Sequence, residues 1–121
     1  MEPPGKKPLI GVVGPCGSGK STLIRGLEER GYPCRHIAQE HSYVQTMWQK
    51  IAHPDVLIFL DASFAVSTER RKLNWQKRDH DEQQRRLSHA RQNANLLIDT
   101  DRLTPDEVLE KTMKYLKELD L

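Results

Sequence analysis

GPCGSGKST, residues 14–22, places three glycines, one lysine and three hydroxyl side chains within nine residues. A short apolar run, residues 9–13, precedes this stretch. Leu23, Ile24 and Leu27 follow it at the spacing of one helical face. The sequence therefore predicts a strand, a tight loop and a helix in that order.

The stretch fits the phosphate-binding pattern G-x-x-x-x-G-K-[ST], with the fixed positions at Gly14, Gly19, Lys20 and Ser21. Glycines let consecutive backbone N–H groups turn toward a phosphate, and the following helix directs its positive end at the same anion. We therefore expect a nucleotide-binding Walker A loop. Its predicted members are Gly14, Pro15, Cys16, Gly17, Ser18, Gly19, Lys20, Ser21 and Thr22.

The pattern assigns separate roles to its last two fixed positions. Lys20 would reach the β- and γ-phosphates, and Ser21 would ligate the Mg²⁺ that bridges them. The dinucleotide pattern G-x-G-x-x-G cannot be placed on this stretch, because Cys16 and Thr22 occupy positions where it needs glycine. The predicted ligand is Mg-ATP or Mg-GTP.

Composition indicates one nucleotide-binding domain over residues 8–121, preceded by a flexible tail at residues 1–7. The net charge is only +2, with 19 basic and 17 acidic residues interspersed, which does not favour nucleic acid as a partner.

Two cysteines make no disulfide framework, so a reduced, cytoplasmic setting is expected. No apolar run approaches the ~18 residues that span a bilayer, and an oligomer is compatible with the sequence.

Strand and helix patterns alternate four times along the chain. Predicted strands at residues 34–39, Val56–Asp61 and Leu96–Asp99 follow the first one, and predicted helices cover residues 19–30, 44–51, 64–95 and 105–119. Breaks near Asn74 and Asp79 are expected within the long polar segment. The order predicts an α/β three-layer sandwich with about four parallel strands and helices on both faces.

The phosphate loop, LIFLDAS at residues 57–63 and LLIDTD at residues 96–101 together resemble small-molecule kinases of the P-loop superfamily, such as shikimate, gluconate and nucleoside monophosphate kinases. The resemblance follows the order of elements along nearly the whole chain. It implies an ATP-dependent phosphotransferase with a parallel sheet and a lid arginine, matched here by Arg70 or Arg71 in STERR. Residues 32–55 are shorter than the region in which those kinases bind the phosphoryl acceptor.

Two acids are candidates for holding Mg²⁺ through water. Asp61 ends an apolar strand, in the form expected of a Walker B aspartate. Glu40 would instead lie near Ser21 if residues 34–39 form the strand beside the phosphate loop. The sequence leaves both alternatives open, and Glu40 is also a candidate general base.

Two functions follow from these patterns. One is transfer of the γ-phosphoryl group to an unknown small-molecule acceptor, with Lys20 and Arg70 or Arg71 offsetting charge. The other is a minimal NTPase or nucleotide-binding module without an acceptor site. His36, His53, His80 and His89 show no metal-ligand spacing and are expected at the surface or in loops.

Overall fold

A four-stranded parallel sheet forms the centre of the protein, as the computed structural model shows for residues 7–71 and 74–119, the Arg71 side chain excepted. The strands are β1 (Ile10–Val13), β2 (Cys34–His36), β3 (Val56–Asp61) and β4 (Leu96–Asp99). Their spatial order is β2-β1-β3-β4, and each neighbouring pair is parallel. The first strand therefore lies between β2 and β3.

Helices cover both faces of this sheet, which confirms the predicted three-layer α/β class. They are α1 (Lys20–Glu29), α2 (Met47–Ala52), α3 (Phe64–Arg71), α4 (Lys77–Arg86), α5 (Ser88–Asn93) and α6 (Pro105–Glu118), with a short 3₁₀ helix at Gln39–His41. Leu27 of α1 and Leu116 of α6 belong to the core on one face. Trp48 of α2 and Ala90 of α5 belong to the core on the other.

The strand β3 shows why the predicted sheet forms. Its first five residues are buried, and they alternate between the two cores: Ile58 packs with α1 and α6, whereas Phe59 packs against the opposite layer. A central parallel strand is covered on both faces, so an uninterrupted apolar run fits this position. Ile98 of β4 extends the first core.

The second strand is shorter than predicted. It ends at His36, and the chain turns at Ala38 (φ −83°, ψ 50°) into the 3₁₀ helix. Gln39 is fully buried, and its side-chain amide donates to the carbonyl of Val44 at 2.8 Å and accepts from the N–H of Trp48 at 2.9 Å. The carbonyls of Ala38 and Gln39 accept from the N–H groups of His41 and Ser42 within the 3₁₀ turn, so they are not used in a strand ladder.

The predicted apolar face over residues 44–51 is only partly correct. Trp48 is buried at 5% exposure, as expected of a core residue, but Val44 precedes α2 and Ile51 is 67% exposed. Of the two breaks predicted in the polar segment, the one near Asn74 is confirmed, because residues 74–76 lie outside any helix, whereas the one near Asp79 is wrong. Asp79 lies in the first turn of α4 and accepts from the N–H of Gln76 at 2.8 Å, so it starts this helix instead of ending one.

Two predicted helix starts are confirmed. Ser63 accepts a hydrogen bond from the N–H of Val66 at 3.2 Å, at the start of α3. Thr104 and Glu107 form a reciprocal capping box at the start of α6, with bonds of 2.9 and 3.1 Å. Within the described ranges, no helix combines the length and apolar character needed to cross a membrane.

Candidate functional site

The loop over residues 14–19 leaves the carboxyl end of β1 and packs closely against β3. Gly14 has φ 155°, and a Cβ atom there would lie 2.1 Å from the carbonyl oxygen of Leu60. Only glycine allows this approach, because every other residue would bring a carbon into the backbone of the neighbouring strand. The loop is therefore held at the edge of the sheet where ligands of parallel α/β folds bind.

The same loop leads directly into the positive end of α1. Gly19 precedes the helix with φ 99°, a left-handed conformation that suits glycine. Among the described residues, no side chain caps this helix start and no acid lies in its first turn. The first backbone N–H groups of a helix lack partners inside the helix, so this end can accept an anion.

A cavity of about 500 Å³ opens in front of the loop and the start of α1. Its lining comes from the loop, β2 and its 3₁₀ helix, α3, and the segment that follows β4: Cys16, Gly17, Ser18, Gly19, Lys20, Ser21, Thr22, Leu23, His36, Ala38, Glu40, His41, Arg70, Thr100, Leu103, Pro105 and Val108. Most of the residues predicted from the glycine-rich stretch thus surround one cavity. Gly14 and Pro15 are not among these lining residues, but their carbonyl groups accept hydrogen bonds from Lys20.

Lys20 is buried at the centre of this site, at 6% exposure. Its ammonium donates to the carbonyls of Gly14 at 2.6 Å and Pro15 at 3.1 Å, and to Oε2 of Glu40 at 2.9 Å. The lysine side chain therefore lies folded against its own loop. Three acceptors satisfy the three protons of its ammonium group.

Glu40 is the acid that the structure brings to the loop. The strand β2 pairs with β1, so the 3₁₀ helix after β2 lies beside the loop after β1. The Glu40 side chain is 4% exposed; Oε2 contacts Lys20, whereas Oε1 is buried without a hydrogen-bond partner among the described residues. Burying a carboxylate with one oxygen unpaired is energetically unfavourable, and binding of a ligand to Oε1 would remove that cost.

Arg70 connects α3 to the loop that follows β4. Its guanidinium donates to Oγ1 of Thr100 at 2.9 Å, to the Thr100 carbonyl, and to the carbonyl of Gly17 at 3.3 Å. Thr100 is buried and donates in turn toward the carbonyl of Ser18 at 3.2 Å. Arg70 is thus the predicted arginine that reaches the cavity, while the Arg71 side chain lies outside the described part of the chain.

Asp61 lies away from this cavity. Its carboxylate accepts from Arg91 at 2.7 Å, from the side-chain amide of Gln84 at 2.8 Å and from the N–H of Ala62 at 3.0 Å. These partners come from the polar helices α4 and α5 and from the strand end itself. The contacts are those of a carboxylate that ties helices to the sheet.

Four further residues were missed or misjudged from the sequence. His36 is exposed at the end of β2, as expected of a surface position, but the sequence did not indicate that it lines the cavity. Partial burial first and the Lys20 charge second lower its pKa, with Glu40 opposing. Gln83 of α4 accepts from the N–H of Cys16 at 3.0 Å and donates to its sulfur at 3.2 Å. Gln83 is buried within a polar helix, and its burial could not be read from the sequence.

His41 and His80 complete this set. Nε2 of His41 lies 3.8 Å from the sulfur of Cys16 and 3.8 Å from Oε2 of Glu40. His80 was also expected at the surface, but it is buried at 6% exposure, and its ring nitrogen bonds the carbonyl of Ala62 at 2.9 Å. Sequence spacing could not detect the contact of His41 with Cys16 or that of His80 with Ala62, because each joins different elements of the fold.

Comparison with known proteins adds no assignment to this geometry. No protein-family model matches the sequence, and no curated protein matches it.

Proposed function

We propose that the protein binds Mg-ATP or Mg-GTP through residues 14–22 and transfers the γ-phosphoryl group to a small acceptor. The observation that carries this proposal is the buried ammonium of Lys20, which lies within its own glycine-rich loop at the start of an uncapped helix. A lysine, a helix N-terminus and a cavity of about 500 Å³ converge there. These are the features that a triphosphate requires.

Phosphate binding would exchange the two carbonyl partners of Lys20 for stronger ones. Its bonds to the carbonyls of Gly14 and Pro15 are bonds to neutral acceptors, whereas phosphate oxygens are anionic. Charge-assisted bonds are shorter and roughly twice as strong as neutral ones. The backbone N–H groups at the start of α1 would bind the same anion.

The donor set at the cavity fits Mg²⁺ bound together with the nucleotide. Ser21 lines the cavity, and the buried Oε1 of Glu40 lacks a partner among the described residues. Mg²⁺ prefers oxygen ligands and is commonly held by one or two protein groups together with phosphates and water. When bound, the ion would neutralise charge on the phosphate oxygens, and Ser21 and Glu40 are the residues that would hold it. Glu40 is favoured over Asp61 because it lines the cavity and has an unpaired oxygen, whereas Asp61 is not among the lining residues.

The remaining side chains would act by positioning and electrostatics. An acceptor oxygen would attack the γ-phosphorus as the bond to the β-phosphate oxygen breaks, and ADP or GDP would leave. Lys20 and Arg70, which both line the cavity, would offset the charge on the transferring group. Glu40 is also suited to receive the proton of an acceptor hydroxyl.

A second function, nucleotide hydrolysis without a dedicated acceptor site, has a specific observation in its favour. Between α1 and β3 the chain holds only the three-residue β2, one 3₁₀ turn and the six-residue α2. This leaves little surface for a separate acceptor compartment. Water would then take the place of the acceptor.

Phosphorus NMR separates the two functions. Mg-ATP would be incubated with the protein and a pool of nucleoside monophosphates, sugar acids and shikimate, with the variants Lys20→Met and Lys50→Met in parallel. Lys50 is exposed on α2 and does not line the cavity, so it is the matched control. ADP with a new phosphate ester, lost in Lys20→Met but not in Lys50→Met, is the expected result. ADP with inorganic phosphate would favour hydrolysis, and no lysine-dependent turnover would contradict both functions.

A further inference from the structure

Three metal-ligating side chains meet at the mouth of the phosphate loop. The sulfur of Cys16, a carboxylate oxygen of Glu40 and a ring nitrogen of His41 all lie within 4.8 Å of one another. The nitrogen of His41 is 3.8 Å from both the sulfur and Oε2 of Glu40. In a tetrahedral zinc site with bonds of about 2.0–2.3 Å, neighbouring donor atoms lie roughly 3.3–3.8 Å apart, so only small side-chain shifts are needed.

The Glu40 carboxylate has an oxygen to which a cation could bind. The Glu40 side chain is buried, and Oε1 has no hydrogen-bond partner among the described residues. Lys20 satisfies only Oε2. A buried carboxylate with one oxygen unpaired is unfavourable, and coordination of a cation would remove that cost.

We propose that Cys16, Glu40 and His41 bind Zn²⁺, or a divalent ion of similar preference, in the nucleotide-free protein. Thiolate and imidazole ligands favour zinc, whereas Mg²⁺ and Ca²⁺ prefer oxygen donors. On binding, the Cys16 thiol would release its proton to solvent as the metal–sulfur bond forms, and neutral His41 would coordinate through Nε2. Water would hold the fourth position.

Gln83 is a positioning residue for this site. Its amide accepts from the N–H of Cys16 and donates to the sulfur at 3.2 Å, and a donor at that distance stabilises a thiolate. Groups that orient metal ligands commonly change metal affinity 10- to 100-fold. Lys20, 2.9 Å from Glu40, opposes the ion with its positive charge.

The ion and Mg-nucleotide would compete for the loop. Zinc would join Cys16 of the phosphate loop to the 3₁₀ helix and would occupy Glu40, which the nucleotide-bound state also requires. Binding of zinc would therefore lower nucleotide affinity. This part of the inference rests on the proposed function, whereas the metal site itself does not.

Cobalt spectroscopy tests the site without any nucleotide. Co²⁺ would be titrated into the reduced protein. Thiolate coordination would appear as a near-ultraviolet charge-transfer band with visible bands of four-coordinate Co²⁺, and Zn²⁺ should remove both. Cys16→Ser should abolish the charge-transfer band, and His41→Ala, an exposed position, should weaken binding at least about 10-fold. Cys34→Ser, the matched control, should bind as wild type. No band in wild type, or a band that survives in Cys16→Ser, would overturn the proposal.

Nucleotide competition is measured separately by calorimetry. Zn²⁺ should weaken Mg-ATP binding to wild type but not to Cys16→Ser. Free nucleotide chelates zinc equally in both titrations, so chelation cannot account for a difference between the two proteins. An equal effect of Zn²⁺ on the Mg-ATP affinity of the two proteins would contradict competition for the loop. Cobalt bands without any nucleotide binding would contradict the proposed function and leave the metal site standing.

Discussion

Lys20 and Glu40 form an ion pair with an Nζ to Oε2 distance of 2.9 Å, and both side chains are at most 6% exposed. The pair joins the first residue of α1 to the 3₁₀ helix that follows β2, across 20 positions of sequence. Buried ion pairs are costly to break from one side, because the remaining charge stays in a poorly solvated place.

We therefore expect strong coupling between these two residues in stability. Lys20→Met should lower the free energy of unfolding by about 3–5 kcal/mol, since it leaves the Glu40 carboxylate unpaired. Glu40→Gln should cost less, because Lys20 keeps two carbonyl partners. Urea denaturation of both single variants and the double variant measures the coupling, with Lys50→Met expected within about 0.5 kcal/mol of wild type. If the changes in the free energy of unfolding caused by the two single substitutions add up to that of the double variant, the expected coupling between Lys20 and Glu40 is wrong.

The environment of His36 predicts a pH dependence of stability. Burial and the Lys20 charge lower the pKa of His36 in the folded protein, so the unfolded chain binds more protons in the interval between the two pKa values. Stability should be unaffected by His36 above about pH 6.5, the ordinary value, and should fall as pH drops through the folded pKa.

NMR titration of the His36 ring protons, assigned with His36→Asn, checks this prediction. The pKa should rise in Lys20→Met but stay below its ordinary value, because burial is the larger cause. A pKa at or above the ordinary histidine value in wild type would show that the imidazole is not held near the lysine. His36→Asn should also flatten the stability profile below pH 6.5.

The two cysteines should differ in their reaction with iodoacetamide. Burial and the nearby Glu28 charge raise the pKa of Cys34 to about 11, so about 0.1% of it is thiolate at pH 8. Cys16 is partly exposed and lines the cavity. Mass spectrometry of peptides should find alkylation at Cys16 first, with protection by Mg-ATP. Faster labelling of Cys34, or no protection of Cys16, would contradict the assigned environments.

Glu40→Gln and Asp61→Asn should differ in their effect on nucleotide binding. Glu40→Gln should remove most of the increase in affinity that Mg²⁺ produces, because Glu40 lines the cavity. Asp61→Asn should keep that increase and instead lower stability, since Asp61 bonds Arg91 and Gln84. Titrations of ATP with and without Mg²⁺ distinguish the two acids. A loss of the Mg²⁺ effect in Asp61→Asn alone would reverse the assignment.

The sheet could be predicted from local patterns because β3 and α6 carry strong local signals. The apolar run Val56–Asp61 and the Thr104 capping box each encode their element within a few residues. The end of β2 could not be predicted in this way. Gln39 bonds the backbone of Val44 and Arg86, and only the folded structure brings these partners together.

The site was predicted most completely where its residues are contiguous, whereas Glu40 and Arg70 were each predicted only as one of two alternatives. Loop residues 16–22 line the cavity together because one loop carries them. The choice between Glu40 and Asp61 depends on which strands neighbour β1, and both β2 and β3 do. Only side-chain partners, Lys20 for one acid and Arg91 for the other, distinguish them. Gln83 and His41 approach Cys16 from distant elements and left no pattern in the sequence.

Isothermal titration of Mg-ATP and Mg-GTP into wild type, Lys20→Met and Lys50→Met tests the central claim most directly. All three proteins would be compared at a temperature where circular dichroism shows them folded. Loss of a charge-assisted bond worth about 1.5–3 kcal/mol predicts affinity at least about 10-fold weaker in Lys20→Met, and unchanged affinity in Lys50→Met. Equal affinity in wild type and Lys20→Met, or no binding of either nucleotide to wild type, would contradict nucleotide binding by residues 14–22.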